Sequence, residues 1–295
     1  MDQEDLVIGF FGLGAMGSNM AANLAKAGLE TLGWDLDAGA RERHAAKGGR
    51  LEEPDEILAR ADVIVASLPS SEAFVHFCRE SVLPTCRRGQ IVLNTGTVSP
   101  PAIRSLAREF SEKGAFLVDA PVTGGVGGAE RGQLRFFVSG DGDAIERVRP
   151  ALEAMGDQDY LAPCGAAGAG QIVKGVNQLG MGLANAAMIE AVAFGVNAGV
   201  DATVLDQLVG GDQGWRRLLR HVCRQAESGQ AANLGIKAGQ YAHFLEEARE
   251  RRFRLPIVEA LEDFLRGKEA CIQEANRRSP SYWKELVENR GGVAE

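Results

Sequence analysis

The sequence predicts an α/β domain built on a mostly parallel sheet, followed by an all-α domain. Three observations point there. In the first half, short apolar runs alternate with helical stretches, as they do when strands return in one direction after each helix. From about Gly165 that alternation stops and long helical periodicity replaces it. The length, 295 residues, exceeds one typical domain and suits two. The boundary is expected near Ala162–Gly165, dividing the chain into 1–163 and 164–295.

The elements follow in order. Leu6–Phe11 reads as a strand, and Ala15–Ala27 as a helix that Gly28 can end. Thr31–Trp34 is the second strand and Ala38–Lys47 the second helix. Val63–Leu68 and Gln90–Asn94 are buried strands. Pro100–Lys113 is a helix, Phe116–Asp119 a strand, Leu134–Ser139 a further strand and Asp143–Met155 a helix. Beyond the boundary, helices are expected at Gln171–Asn197, Val204–Leu208, Trp215–Glu227, Gly235–Arg251, Ile257–Lys268 and Tyr282–Glu288. The long apolar segment 168–200 carries Lys174, Asn177, Gln178, Asn185 and Glu190, which favours a buried helix over a membrane span. Its small residues, among them Gly180, Gly182, Ala184, Ala186 and Ala187, would let another helix approach closely. A homodimer or homotetramer is expected on that face.

Composition narrows the function. Hydrophobic residues make up 45% and charged residues 24%, which argues against disorder. The formal net charge of -8 repels phosphate backbones and anionic membranes, so no nucleic-acid or membrane partner is expected. Five scattered cysteines without a C-x-x-C pair read as free thiols of a reducing compartment, and the chain is expected to be cytoplasmic. His44, His76, His221 and His243 are isolated, so no metal site is expected.

The strongest local motif is Gly12-Leu13-Gly14-Ala15-Met16-Gly17, placed between the first strand and the first helix. Gly12 suits a tight turn, Gly14 a close approach of backbone to a pyrophosphate, and Gly17 close helix–strand packing. Free N–H groups at the helix start would hold the phosphates. A lone glycine motif is weak, and the strand–turn–helix setting strengthens it into a Rossmann-type dinucleotide site. Asp35, at the end of the second strand, can accept from a ribose hydroxyl, whereas a 2′-phosphate would want arginine there. NAD is therefore expected, with NADP as the alternative. The competing structural role for Asp35 is to cap the second helix.

Residues 12–28, GLGAMGSNMAANLAKAG, resemble the opening signature of the β-hydroxyacid dehydrogenases, the family of 3-hydroxyisobutyrate dehydrogenase and tartronate semialdehyde reductase. Three more segments match in order: DAPVTGGVGGAERGQL at 119–134, GAGQIVKGVNQ at 168–178 and LGIKA at 234–238. The resemblance covers nearly the whole chain. It implies a Rossmann domain followed by a helical domain, with the active site in the cleft between them. It implies hydride transfer between nicotinamide and a short hydroxyacid or semialdehyde, with Lys174 as catalytic residue. Thr123, Gly124, Gly125, Asn177 and Gln178 are then expected at the acid substrate. Leu68, Pro69, Thr97 and Lys237 join Gly12 to Gly17 and Asp35 at the cofactor. The chemistry suits a lysine, because an alkoxide formed from a carbonyl needs a proton and a nearby positive charge.

The chain also departs from the family pattern. Gln178 stands where asparagine is usual, Ala238 where aspartate follows the second lysine, and 226–232 lacks the family's aromatic residues. Arg277 and Arg278 lie in a stretch that relatives keep acidic or neutral; they are solvated surface residues, or they reach a second acidic group on a larger substrate. Two other activities stay open: imine reduction, against which Lys174 counts, and a non-catalytic dinucleotide-binding scaffold.

Overall fold

The computed structural model describes residues 6–161, 163–228, 234, 238–266 and 286. It contains two compact units, Met1–Lys174 and Gly175–Glu295. The chain is α/β first and helical second, as the periodicity predicts.

The first unit is built on six parallel strands: β1 (Val7–Phe11), β2 (Glu30–Trp34), β3 (Arg50–Leu51), β4 (Val63–Ala66), β5 (Ile91–Asn94) and β6 (Phe116–Asp119). Their order in the sheet is β3-β2-β1-β4-β5-β6. The register sets Ile8 beside both Thr31 and Val63, then Val63 beside Ile91 and Ile91 beside Phe116. The order reverses between β1 and β4, and such a switch opens a ligand crevice at the carboxyl ends of the strands.

Alternate residues of the central strands feed two cores. Ile8, Phe10, Val63, Val65, Ile91, Leu93 and Val118 pack with α1 (Gly17–Lys26) through Met20 and Leu24. Phe11, Ile64, Ala66, Val92 and Leu117 face the other way. Between the flanking strands run α2 (Ala38–Ala46), α3 (Pro54–Arg60) and α4 (Ser71–Phe77). A π-helical stretch, Cys78–Val82, continues α4 into α5 (Leu83–Thr85), and α6 (Pro100–Glu112) precedes β6. Strands covered on both faces read as continuous apolar runs, which is why β4 and β5 are legible in the sequence.

One expected strand is reassigned. Leu134–Ser139 does not extend the main sheet. Only Arg135–Phe136 is a strand, β8, and it pairs antiparallel with β7 (Val122–Thr123). Isolated bridges join Leu134 to Gly156, Val138 to Pro163 and Ser139 to Asp119. The apolar alternation of this segment serves burial beside α8 (Gly142–Met155), not membership of the parallel sheet. Sequence periodicity also passes over α7 (Gly125–Arg131), which follows β7 directly. Glycine-rich helices lack an apolar stripe to detect.

The helix α9 (Ala169–Asn197) starts in the first unit and runs on into the second. By length and composition alone it could cross a membrane. In the second unit it packs through Ala186, Ile189 and Val192 into a core with α11 (Gly214–Glu227), α12 (Ala238–Glu250) and α13 (Pro256–Leu265). α10 (Ala202–Val209) packs on α11. The expected helix at Tyr282–Glu288 lies outside the described residues except at Leu286, which packs against this same core.

Candidate active site

The glycine turn is shaped by steric contact. Gly12 has φ 94°, and a Cβ there would sit 2.3 Å from the Ser67 carbonyl oxygen. A Cβ on Gly17 would sit 1.8 Å from the Gly12 carbonyl oxygen, so α1 can start this close to β1 only from glycine. Gly14 is exposed, and a Cβ there would meet nothing within 4 Å. The turn is thus closed at its first and third glycines and open at its second. This fits a pyrophosphate, which needs bare backbone at the middle position and a helix N-terminus behind it. Leu13 is buried, while Ala15 is exposed and Met16 half-buried.

Asp35, the expected ribose ligand, is engaged by the backbone on both carboxylate oxygens. Its Oδ2 accepts from the Leu13 N–H at 2.6 Å and its Oδ1 from the Asp37 N–H at 2.8 Å. It thereby ties the end of β2 to the glycine turn. Capping of α2 falls to Asp37, whose side chain accepts from the Gly39 N–H. Arg41 stacks its guanidinium 4.5 Å from the Trp34 ring centre and donates to the carbonyls of Asp35 and Leu36.

Leu68 and Pro69 follow β4, and Thr97 follows β5, all at carboxyl ends beside the order reversal. Leu68 and Thr97 are half-buried and Pro69 is exposed. Lys237, Arg277 and Arg278 lie outside the described residues.

Lys174 lies in the second turn of α9 and is buried, 6% exposed. Its Nζ donates to the Val122 carbonyl at 2.7 Å. Burial pulls its pKa from the ordinary 10.5 down to about 8, because a desolvated ammonium loses hydration. Val122 immediately precedes Thr123, so the structure brings the expected lysine to the expected substrate loop. Thr123 is half-buried in β7, and Gly124 and Gly125 take φ 128° and 62°. Such left-handed backbone favours glycine and turns the chain from β7 into α7. Asn177 is one turn beyond Lys174 on the same helix and is exposed. Gln178 is buried, and its amide nitrogen donates to the Gln240 side chain at 3.0 Å within the second unit. Among the described residues, no group of three or more His, Cys, Asp or Glu is placed to hold a metal ion.

Sequence reasoning missed one cluster. Asp119, at the end of β6, is fully buried and accepts from the side chains of Asn94 at 2.9 Å and Gln171 at 2.7 Å. Burial pushes its carboxyl up to about 7, against the opposing pull of Asn94, Gln171 and Ser139. Asp119 opens the DAPVTGG segment and Gln171 sits inside GAGQIVK, so both residues belong to the motifs that carry the family resemblance.

Comparison with known proteins agrees with this geometry. A family model described as the NAD binding domain of 6-phosphogluconate dehydrogenase matches residues 7–168. A second, described as NAD-binding of NADP-dependent 3-hydroxyisobutyrate dehydrogenase, matches 168–277. The 2-(hydroxymethyl)glutarate dehydrogenase of Eubacterium barkeri is 34% identical over 72% of this chain and 71% of its own. The chain belongs to the β-hydroxyacid dehydrogenase family. Among further members of that family, the NAD-dependent L-serine dehydrogenase of Pseudomonas aeruginosa is 36% identical over 68% of both chains. The Mycobacterium tuberculosis 3-hydroxyisobutyrate dehydrogenase, solved with L-serine, superposes with a TM-score of 0.77 at 27% identity, covering 97% of this chain and 99% of that one. Like the rest of the β-hydroxyacid dehydrogenases, this chain is an NAD(P)-dependent oxidoreductase acting on a CH–OH group of a small molecule.

Proposed function

We propose that the chain moves hydride between NAD and the hydroxyl-bearing carbon of a short hydroxyacid or its semialdehyde, with Lys174 as general acid and base. The observation that carries this is the buried Lys174, lowered to about 8 and held against the carbonyl that leads into Thr123. Bound nicotinamide supplies the hydride acceptor or donor. In oxidation, neutral Lys174 takes the substrate hydroxyl proton on Nζ as the hydride leaves the carbon. In reduction, its ammonium returns that proton to the oxygen. Thr123 and the backbone N–H groups of Gly124 and Gly125 bind the substrate carboxylate, and Asn177 and Gln178 complete the substrate contacts.

Gly12, Leu13, Gly14, Ala15, Met16 and Gly17 cradle the pyrophosphate, Asp35 faces the ribose, and Leu68, Pro69, Thr97 and Lys237 line the rest of the cofactor. A carboxylate at the end of β2 repels a 2′-phosphate, which supports NAD over NADP. Arg41 beside Trp34 is the feature that favours NADP as the second reading. The boundary at 163/164, a homodimer or homotetramer, and a cytoplasmic location belong to the same proposal.

The test is absorbance at the nicotinamide band. NAD and NADP are each offered with 3-hydroxyisobutyrate, L-serine, 2-(hydroxymethyl)glutarate, glycerate and the matching aldehydes. Turnover that disappears in Lys174→Ala while cofactor still binds is the expected result. Full turnover in Lys174→Ala would remove the lysine from the mechanism.

A further inference from the structure

We infer that Gln171 is a positioning residue, held by buried Asp119, that locks the Gly96–Val98 loop and the first turn of the Lys174 helix into one rigid body. The inference rests on Lys174 being the proton-transfer group.

Both donor directions of the Gln171 side chain are engaged, and its oxygen accepts as well. Its amide nitrogen donates to Asp119 Oδ1 at 2.7 Å and to the Gly96 carbonyl at 3.0 Å. Its amide oxygen accepts from the Val98 N–H at 3.1 Å. Gln171 is 0% exposed, as is Asp119. One side chain therefore grips the loop that carries Thr97 from both sides. The same loop is held internally by Asn94, whose amide donates to the Gly96 carbonyl at 3.0 Å and whose oxygen accepts from the Gly96 N–H at 3.1 Å.

The helix start is held by the same groups. The first turn of a helix leaves N–H groups without intrahelical partners. Here the Gly170 N–H donates to Ser139 Oγ at 3.0 Å, and the Ser139 hydroxyl lies 3.4 Å from Asp119 Oδ2, to which it donates. A Cβ on Gly170 would stand 2.1 Å from the Phe137 carbonyl oxygen, so the helix starts as close to this strand end as backbone allows. Lys174 lies three residues beyond Gln171, on the same face one turn along. Fixing Gln171 in rotation and in height fixes where Lys174 Nζ meets the Val122 carbonyl. A misplacement of about 1 Å at a reacting group is enough to lower a rate roughly 100-fold.

The experiment compares wild type with Gln171→Met, Gln171→Asn and Lys174→Ala. Methionine keeps the length and loses every side-chain hydrogen bond; asparagine keeps the amide but withdraws it by one methylene. The first readout needs no substrate. Reductive methylation with 13C-formaldehyde, with the Lys174 signal assigned by its absence in Lys174→Ala, gives the pKa of Lys174 by NMR titration. In both Gln171 variants it is expected to climb from about 8 towards the ordinary 10.5, as the loosened turn lets water reach Nζ. The second readout uses any acid turned over by the wild type. For Gln171→Met, kcat is expected to fall roughly 100-fold with a larger primary deuterium isotope effect. Gln171→Asn should lose at least about tenfold in kcat. A lower melting temperature with the Lys174 pKa, kcat and isotope effect unchanged would overturn the inference and leave Gln171 a purely structural group. Turnover preserved in Lys174→Ala would instead sink the lysine mechanism itself, so the two failures are distinguishable.

Discussion

Replacing Lys174 with methionine should abolish turnover and yet stabilise the protein at neutral pH. Burial lowers the lysine from its ordinary 10.5 to about 8. At about 1.4 kcal/mol for each tenfold change in proton affinity, this amounts to roughly 3 kcal/mol of penalty carried by the folded ammonium form. The bond from Nζ to the Val122 carbonyl offsets about 1 kcal/mol of it. Methionine is of similar length, carries no charge and adapts to irregular space, so the variant should gain about 2 kcal/mol near pH 7. The sign with pH follows from the lowered value. The folded chain sheds this proton before the unfolded chain does, so wild-type stability rises with pH between about 8 and 10.5. The penalty is complete below that window and gone above it. Urea unfolding of both proteins, at about pH 7 and again at about pH 10.5, measures the difference. The methionine variant should lead by about 2 kcal/mol at the lower pH and lose that lead at the higher. A methionine variant less stable than wild type at neutral pH, or a gap that ignores pH, would refute the reasoning that burial sets the lysine's proton affinity.

Other perturbations have equally definite outcomes. The rate of alcohol oxidation should rise with pH through about 8 and fall roughly tenfold per pH unit well below it, with aldehyde reduction showing the opposite limb in a pH–rate profile. Gly14→Ala should leave the melting temperature unchanged, since a Cβ there meets nothing within 4 Å, but weaken NADH binding at least about tenfold by fluorescence titration. Gly17→Ala should instead destabilise the fold, because its Cβ would overlap the Gly12 carbonyl. Asp35→Ser should raise the KM for NAD more than that for NADP, and also slacken the turn that Asp35 holds through the Leu13 N–H. Among the described residues, Tyr241 buries its hydroxyl with no hydrogen-bond partner, so Tyr241→Phe should stabilise the protein by about 1 kcal/mol in thermal unfolding.

Much of this protein was decided by its sequence. Periodicity alone marks the short apolar runs that become β1, β4, β5 and β6, since a strand covered on both faces must be apolar throughout. The glycine turn is equally legible, because Gly12 and Gly17 meet backbone so closely that no other residue serves. The motifs also name Lys174 and Thr123. Tertiary structure decided what local pattern cannot encode. Leu134–Ser139 alternates like a strand, yet only Arg135 and Phe136 pair, and their partners, Thr123 and Val122, lie on the far side of α7 and are fixed by the fold and not by the segment's own residues. Asp35 looks like a free ribose ligand until the sheet brings Leu13 against it. Asp119, Asn94 and Gln171 stand far apart in the chain and look like ordinary polar residues. They become a single buried network only because parallel strands set the ends of β5 and β6 side by side, with the start of α9 packed against them. A buried polar group needs partners, and which partners it finds depends on the fold that closes around it.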